Sequence, residues 1–543
     1  MQRVSENWKN AHKQTLLNES FVEVYLWVTD PDALAVASPA DNGAIYISNS
    51  SGLTDEVEER RTPYGTLEQN LWILDGDRKV IPENVPDEDK EDCYIGESLS
   101  DDKCVFSDRL PVITINFGTV FTKPLPGVTI TWSNTYGECA DTFYVKVYNG
   151  DTLKAEKEVM GNRSVLTFVP INIVDYDRIE LIITKWCLPN RRARIEEIFI
   201  GLKKTYDKTS LFNYSHAISV HPISLALPKS EIRFSIDNVS GEYDPQNPSG
   251  ISKYLTERSE VKTRYGLKMN DGSIEWINGG TFYLSEWYAK QNGMTADFVA
   301  KDLLCFLTDI YREDVKEIKS RTFYDLAEML FQAANLPLNR DGSVKWVIDE
   351  SLKSITTTAP LPEDTIANIL QLIANATCCK LYQDRGGVFH IEPFKFSWLP
   401  STWEIPEYEI TSFNSYSKPE ITLANAVDTI IVKKYIYTLD ENGVQSDTQE
   451  FRYMMMEGRD TITVDNPLVT DNGHKIALWM YNYYLRCRRT LDFSWRGDVR
   501  LDALDFISNV HSFDKDRVLM TDIGYKYNGA FRATGKGKVI KDV

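Results

Sequence analysis

The sequence predicts a mainly β protein with a smaller α+β portion. Its 543 residues suggest three or four domains at about 150 residues each. Short runs of alternating apolar and polar residues, separated by turn residues, recur over most of the chain, which is typical of antiparallel strands. A helical period of 3.6 appears in only a few segments. With 42% hydrophobic and 12% aromatic residues, the chain can bury packed cores, which excludes wholesale disorder.

The net charge of the chain indicates whether it has a general affinity for nucleic acid. The formal net charge of -19 argues against a general affinity for nucleic acid, because phosphates would be repelled at long range. The sequence has no apolar run of about 20 residues and no apolar stretch after its polar start, so we expect no membrane-spanning segment and synthesis in the cytoplasm.

The first fifty residues contain one clear strand pattern, from Phe21 to Val28, which stops at Asp30-Pro31. A lone strand must pair with a distant part of the chain or with another chain. Residues 54–108 are acidic and rich in turn residues, as in 55–59 and 87–92, which predicts solvated loops. A calcium site is the alternative interpretation, although the Asp-x-Asp-x-Asp-Gly spacing is missing.

Between Pro111 and Leu202, six short strand patterns follow one another with almost no helical period, and Asn149-Gly150-Asp151 has the composition of a hairpin turn. This spacing predicts an antiparallel β-sandwich of jelly-roll type. A second strand-rich block, 206–299, predicts a small barrel or sheet.

The helical segments come later. Thr322 and Asp325 predict a capping box for a helix that ends before Pro337, and a second helix is expected over 364–376. A hairpin should follow, turned at 384–387. Strands are expected again over 421–454, then a helix over about 471–489, then closing strands.

The sequence contains few candidates for catalytic residues. The six histidines stand in no metal-binding spacing, and the sequence has neither a Gly-x-Ser-x-Gly elbow nor a phosphate-binding loop. Cys378 or Cys379 with His390 could be imagined as nucleophile and base, but burial of both thiols is the favoured interpretation. We therefore expect no catalytic residue, no metal and no cofactor.

The aromatic residues of the predicted sandwich are candidates for a carbohydrate-binding surface. Ring faces and hydrogen-bond donors suited to a sugar are offered by Trp132, Tyr136, Tyr144, Trp186 and Arg191, with Arg192 beside them. The alternative is that these rings fill the space between the two sheets.

The C-terminal part resembles the tail-hub proteins of tailed bacteriophages and prophages. The resemblance covers residues 212–543 and is carried by 295–304, 366–391, Asp465 to Val469, Phe493 to Asp505 and Val518 to Ile523. The N-terminal region is similar, more weakly, to distal-tail and baseplate proteins through residues 64–76.

The resemblance implies an architecture: two hub-type β-barrels, a helical or α+β middle and an inserted jelly-roll-like sandwich. The expected parts are a strand segment that completes the first barrel (1–54), the carbohydrate-binding-like sandwich (55–204), the first barrel (205–315), the α+β middle (316–400) and the second barrel with one long helix (401–543). The strand near Phe21 would join the first barrel across the insertion.

The resemblance also implies a function. Such proteins form a homotrimeric ring in the virion tail that joins the tail tube to the tip and lets DNA pass without specific binding. The implied partners are copies of the chain, the tail tube or distal-tail protein, the tape-measure protein and a tip, spike or receptor-binding protein. Alternatives are a tail protein that binds host cell-wall carbohydrate during adsorption and a tail-associated cell-wall hydrolase. The acidic excess should lie on a loop between Asp75 and Asp102 and along the channel.

Overall fold

The computed structural model describes residues 1–14, 18–55, 63–66, 68, 71, 78–81, 83–221, 223–247, 250–289, 293–339, 343–394, 408–440, 443–454, 459–509 and 516–540. They form 33 strands and five α-helices, which confirms the mainly β class. Two compact units are present. The major unit contains residues 1–25, 205–336 and 345–543, and the inserted unit contains residues 26–204 and 337–344.

The chain starts in the major unit with α1 (Glu6–Lys13), whose first turn is capped by the Ser5 hydroxyl accepting from the Trp8 amide at 3.1 Å. The predicted lone strand is β1 (Ser20–Val28). The inserted unit begins at Leu26, within β1, whereas the sequence placed the start of the sandwich at residue 55.

The inserted unit is almost entirely β. Its elements are α2 (Pro31–Val36), β2 (Ser38–Asp41), β3 (Tyr94–Leu99), β4 (Val112–Phe121), β5 (Leu125–Thr131), β6 (Ala140–Asn149), β7 (Thr152–Val159), β8 (Leu166–Ile173), β9 (Tyr176–Trp186), β10 (Arg192–Ile195) and β11 (Glu197–Ile200). A five-stranded sheet has the order β2-β4-β9-β6-β7, and smaller sheets have the orders β11-β5-β8 and β10-β3. All of these pairings are antiparallel, as the sandwich prediction required.

Of the two acidic stretches, 55–59 and 87–92, the structure describes the second in full. Residues 87–92 contain a 3₁₀ turn, Asp87–Asp89, whose side chains are exposed, so this stretch is the solvated loop expected. Residues 56–59 and most of 67–77 lie outside the described residues. Among the residues that the structure does describe, no group of three or more His, Cys, Asp or Glu side chains could hold a metal ion.

The remaining strands begin with β12, which leads from the inserted unit into the major unit. They are β12 (Leu202–Tyr206), β13 (Leu211–Ser219), β14 (Lys229–Asp237), β15 (Glu260–Lys268), β16 (Ile274–Ala289), β17 (Thr295–Lys301), β18 (Ile310–Tyr311), β19 (Arg321–Thr322), β20 (Trp346–Ile348), β21 (Thr356–Thr357), β22 (Asp364–Thr365), β23 (Cys379–Gln383), β24 (Phe389–Pro393), β25 (Glu409–Ile410), β26 (Glu420–Leu423), β27 (Val427–Asp440), β28 (Gly443–Met454), β29 (Asp460–Val464), β30 (Arg489–Trp495), β31 (Phe506–Asn509), β32 (Asp516–Tyr527) and β33 (Phe531–Ile540).

One 13-stranded sheet dominates the major unit, with the order β12-β1-β15-β16-β17-β14-β13-β32-β33-β30-β26. In addition, β31 pairs with β32, and β25 pairs with β31. β1 pairs with β15, so the lone strand joins the strands of the region expected to form the first barrel. β13 to β17 of the first predicted barrel, and β26 and β30 to β33 of the second, form two halves of this sheet, joined where β13 pairs antiparallel with β32. The strands β27, β28 and β29 were also expected in the second barrel, but they form a separate sheet in the order β28-β27-β29. The pairings among the described strands leave both halves open rather than closing each into a separate barrel.

Besides α1, three described helices belong to the major unit: α3 (Phe323–Ala333), α4 (Ile366–Ala376) and α5 (Gly473–Arg486). The predicted cap is confirmed, because the Thr322 hydroxyl accepts from the Asp325 amide at 3.1 Å. The apolar faces of the three helices meet in one core, where Leu330, Ile369 and Ile476 are wholly buried. No described helix is long and apolar enough to cross a membrane.

The hairpin of β23 and β24 is fastened to the large sheet by its turn. Arg385, in that turn, donates to Asp502 at 2.8 Å and to the backbone carbonyls of Asn278 at 2.7 Å and Val499 at 2.8 Å. Gly387 closes the turn at a φ of +86°, in the left-handed region that favours glycine. One buried guanidinium thus ties the helical middle to both halves of the sheet.

The junction of the two halves predicts an acid-sensitive contribution to stability. Asp522 on β32 accepts from Ser219 on β13 at 2.6 Å and from Thr521 at 2.8 Å, and lies 3.5 Å from His221. Burial opposes ionisation of Asp522, but these hydrogen bonds outweigh it and lower its pKa to about 2. A depressed carboxyl pKa stabilises the fold above its ordinary value of about 4, and that contribution is lost as the pH falls towards 2.

We therefore expect Asp522→Asn to cost about 1 kcal/mol near neutral pH, after allowance for solvent screening of a half-exposed group. The difference from the wild type should shrink as the pH falls from about 4 to 2. Urea unfolding of both proteins at several pH values measures it. A difference that stays constant over this range would show that the ionisation of Asp522 does not contribute to stability.

Candidate ligand-binding cavity of the inserted unit

Five residues of the inserted unit were predicted from the sequence to bind sugar, and two of them lie in the core. Trp132 and Trp186 are both 0% exposed, and their rings lie edge to face with centroids 6.0 Å apart. The Trp186 indole donates to Glu138 at 2.9 Å, and the Trp132 indole donates to Thr167 at 3.0 Å. These two rings fill the space between the sheets and offer no free face, so for them the packing alternative is the correct one.

The other three nominated residues are separated. Arg191 is buried and donates to Glu138 at 3.0 Å, as part of the same internal network as Trp186. Tyr144 lies on β6 and donates its hydroxyl to Glu158 of β7 at 2.6 Å. Tyr136, by contrast, lines a cavity of about 700 Å³ within the inserted unit.

The floor of this cavity is the two-stranded ribbon of β3 and β10. Alternate residues of a strand point to the same face, which places Ile95, Glu97 and Leu99 together with Arg192 and Arg194 on the cavity side. The residues between them face the other way, and Tyr94, Ala193 and Ile195 are buried there. The ribbon therefore presents charged side chains to the cavity, together with the apolar side chains of Ile95 and Leu99.

Three connecting segments form the walls. Residues 44–47 run beside β3, where the Ile45 amide donates to the Ile95 carbonyl at 3.0 Å. Residues 63–66 lie against residue 79, since the Gly65 amide donates to the Lys79 carbonyl at 2.8 Å. The turn 133–136 supplies Thr135 and Tyr136. Loops that connect the strands therefore form the walls, and such loops can vary in sequence without disturbing the sandwich.

An internal ion pair organises the floor. Arg194 and Glu68 are both buried and form two hydrogen bonds with each other. Burial opposes ionisation of Glu68, but the hydrogen bonds from Arg194 and from the Arg192 amide keep its pKa below the ordinary value. The Arg194 guanidinium also lies 4.9 Å from the centre of the Tyr136 ring and fixes that ring in place.

Two further carboxyl groups face the cavity. Glu91 accepts from the Tyr64 amide at 2.6 Å, and burial raises its pKa above the ordinary value. Glu196 accepts from the Thr135 amide at 3.3 Å. The second oxygen of Glu91 accepts from the Cys93 thiol at 3.6 Å, so the protein itself holds this carboxylate at both oxygens.

The cysteines considered as a nucleophile and the histidine considered as their base do not form a catalytic pair. Cys378 and Cys379 are buried, and burial raises the pKa of the first thiol to about 12 and that of the second to about 11. His390 is bonded to Asp384 at 2.9 Å. The thiols are therefore protonated packing residues.

Comparison with known proteins gives matches at the level of structure alone. No protein-family model matches the sequence, and no curated protein matches it. The structure is similar to a tail protein from Neisseria meningitidis MC58, at 13% identity and a TM-score of 0.41, covering 62% of this chain and 93% of that one. It is also similar to the 43 kDa tail protein of prophage MuSo2 from Shewanella oneidensis (10% identity, TM-score 0.40, 62% and 96% covered). A third similar structure is prophage tail protein gp18 from Listeria monocytogenes EGD-e (10%, 0.38, 61% and 91%).

All three of these are tail proteins. Each is covered over more than nine tenths of its own length.

Proposed function

We propose that the chain is a structural protein of a phage or phage-like tail, a hub at the tail tip or baseplate without enzymatic activity. The resemblance of residues 212–543 to tail-hub proteins supports this, as does the sheet of two joined halves in the same region. The observation that carries the proposal is an apolar edge on that sheet, which suits a subunit built to assemble.

The apolar edge patch consists of Phe413, Tyr416, Ile421 and Leu423, which are 83%, 54%, 50% and 62% exposed. All four flank the same side of β30. β26 pairs with β30 along its length, and the Tyr416 amide donates to the Ser494 carbonyl at 3.0 Å. β26 has no second partner among the described strands, so its outer backbone groups and apolar side chains are open to association.

The proposed assembly is a homotrimeric ring that joins the tail tube or distal-tail protein to a tip, spike or receptor-binding protein, with the tape-measure protein ending at it. DNA passes through without specific binding, and the acidic excess along the channel keeps it from adhering. No cofactor is needed for this role. The protein is made in the bacterial cytoplasm and resides in the virion tail.

Assembly can be tested with the purified full chain. We expect light scattering after size exclusion to give three times the monomer mass of 62.2 kDa, and antibody labelling to mark the tail end of negatively stained particles. Leu423→Lys should reduce self-association, whereas the matched control Val347→Lys, at a residue 52% exposed on β20, should not. A monomer that antibodies do not find at the tail end would contradict the proposal.

A second candidate function is carbohydrate binding by the inserted unit, which would serve adsorption to the host wall. The cavity that contains Tyr136 favours it. Pull-down of the full chain by isolated host cell walls measures it, and failure to bind any wall preparation would exclude it. A cell-wall hydrolase is the third alternative; zymography on host peptidoglycan should show no clearing if the role is structural.

A further inference from the structure

We propose that Cys139 and Cys187 of the inserted unit form a paired oxidation site, which closes to a disulfide when the folded chain meets a disulfide oxidant such as oxidised glutathione. Both residues are free thiols in the structure. The inference goes beyond the proposed function, which supplies only the setting: a tail protein leaves the reducing cytoplasm, where disulfides are rare, for surroundings in which they persist.

The backbone places the two cysteines directly opposite each other. Ala140, at the start of β6, is paired with Trp186, at the end of β9. One position further along, the Cys187 amide donates to the Cys139 carbonyl at 3.0 Å. The Cα atoms of directly opposed residues in antiparallel strands lie about 4.5–5.5 Å apart, and a disulfide spans about 4.4–6.8 Å. The two backbones can therefore stay in place when the bond forms.

The sulfur atoms also lie close to each other. The Cys139 amide donates to the Cys187 sulfur at 3.3 Å, which holds that sulfur on the side of its partner. The Cys139 thiol contacts the loop between β7 and β8, where it donates to the Asn162 carbonyl at 3.8 Å. Burial and the neighbouring Cys187 thiol raise the pKa of the Cys139 thiol to about 11. Rotation of the two side chains therefore suffices to bring the sulfurs together.

Access decides which thiol reacts first. Cys139 is 3% exposed, whereas Cys187 is half-buried and precedes the exposed Leu188. The Cys187 thiolate attacks one sulfur of oxidised glutathione, whose S–S bond breaks and releases one glutathione thiolate. The Cys139 thiol then loses its proton to solvent, and its sulfur attacks that of Cys187 and releases the second glutathione. The two cysteines together lose two electrons, and oxidised glutathione is reduced to two thiols.

The disulfide cross-links β6 and β9 of the five-stranded sheet. It joins residues 48 positions apart, and the loop that it closes contains β6, β7, β8 and β9. A cross-link of this kind stabilises a fold mainly by restricting the unfolded chain. We therefore expect β6 and β9 to keep their hydrogen-exchange protection to a higher urea concentration in the oxidised chain than in the reduced chain.

Peptide mapping of the full chain tests the proposal. The chain is purified with a reductant, incubated with oxidised glutathione at mildly alkaline pH, blocked with iodoacetamide and digested with trypsin without reduction. Because lysines and arginines lie between them, Cys104, Cys139 and Cys187 fall in separate tryptic peptides. We expect the peptide of Cys139 to be linked to that of Cys187, with two hydrogen atoms lost, and both peptides to separate again after reduction.

Variants check which cysteines are paired. Cys187→Ser and Cys139→Ala should each abolish the linked peptide. The matched control is Cys104→Ser. Cys104 also lies beside the end of β9, where its carbonyl accepts from the Trp186 amide at 2.8 Å, but this variant should leave the link intact.

Three results would overturn the inference: no link between Cys139 and Cys187 in the wild type, a link from Cys187 to Cys104 instead, or glutathione retained on Cys187. Equal protection of β6 and β9 in the oxidised and reduced chains would remove the stabilising effect assigned to the bond. Because the wild-type digest decides, a variant that fails to fold does not change the result. Self-association and position in the particle do not enter the measurement, so its failure leaves the proposed tail function standing.

Discussion

Replacing Arg385 by alanine is expected to lower the free energy of unfolding of the major unit by about 3 kcal/mol. The guanidinium donates to Asp502 and to three backbone carbonyls, those of Asn278, Val499 and Leu501. Its removal leaves carbonyls without donors in a buried place and a carboxylate without its counter-charge. Both penalties exceed the net value of the bonds themselves, because the partners cannot regain water.

Arg385→Lys should recover only part of this loss, since an ammonium cannot reach the carboxylate and the carbonyls with a planar fork. The matched control is Arg312→Ala, which breaks the exposed Arg312–Glu363 pair and should cost less than about 1 kcal/mol. Urea unfolding, monitored by hydrogen exchange of peptides from β16 and β23, measures the effect in the major unit. Equal losses for Arg385→Ala and Arg312→Ala would show that the hairpin is held by apolar packing instead.

The role of Arg385 illustrates what the sequence could not show. The residues Asp384-Arg385-Gly386-Gly387 predict a hairpin turn, and the turn is present between β23 and β24. A turn residue is ordinarily solvated, so nothing local marks this arginine as buried. Its partners lie more than a hundred residues away on both sides, at Asn278 and Asp502, and only the folded topology brings them together.

The elements themselves were largely predictable, because they depend on local chemistry. The capping pair Thr322 and Asp325 located the start of α3, and the two-residue alternation located most strands. The pairing of β13 with β32 was not predictable, since their sequences are about 300 residues apart and carry no mark of each other. That pairing turns two expected barrels into one continuous sheet.

The sequence predicted only one of the residues that line the cavity. The aromatic residues indicated Tyr136, which lines it, but they also indicated Trp132 and Trp186, which are buried. Alternation in 93–99 and in 192–196 is visible in the sequence and places the acidic and basic residues of each strand on one face. What the sequence lacks is the register of β3 against β10, which sets the two polar faces side by side.

Trp132→Ala is expected to lower the free energy of unfolding of the inserted unit by about 3–5 kcal/mol. The indole is wholly buried, with its centre 5.0 Å from that of Phe143 and 6.0 Å from that of Trp186. Truncation leaves a cavity between the sheets and removes the donor to the Thr167 hydroxyl. Tyr144→Ala, on the same sandwich but half-buried, should cost about 1 kcal/mol or less.

Hydrogen exchange of peptides from β5, β6 and β9 reports on this unit separately, which is needed because a chain of two units does not unfold in one step. If protection in these strands is lost in Trp132→Ala and kept in Tyr144→Ala, the tryptophan is a core residue. Loss of host-wall adsorption by Trp132→Ala would then follow from unfolding and carry no information about sugar contact. If Trp132→Ala keeps full protection, the packing role assigned to this indole is wrong. Adsorption can therefore be interpreted only for variants that keep protection in these strands, as Tyr144→Ala is expected to do.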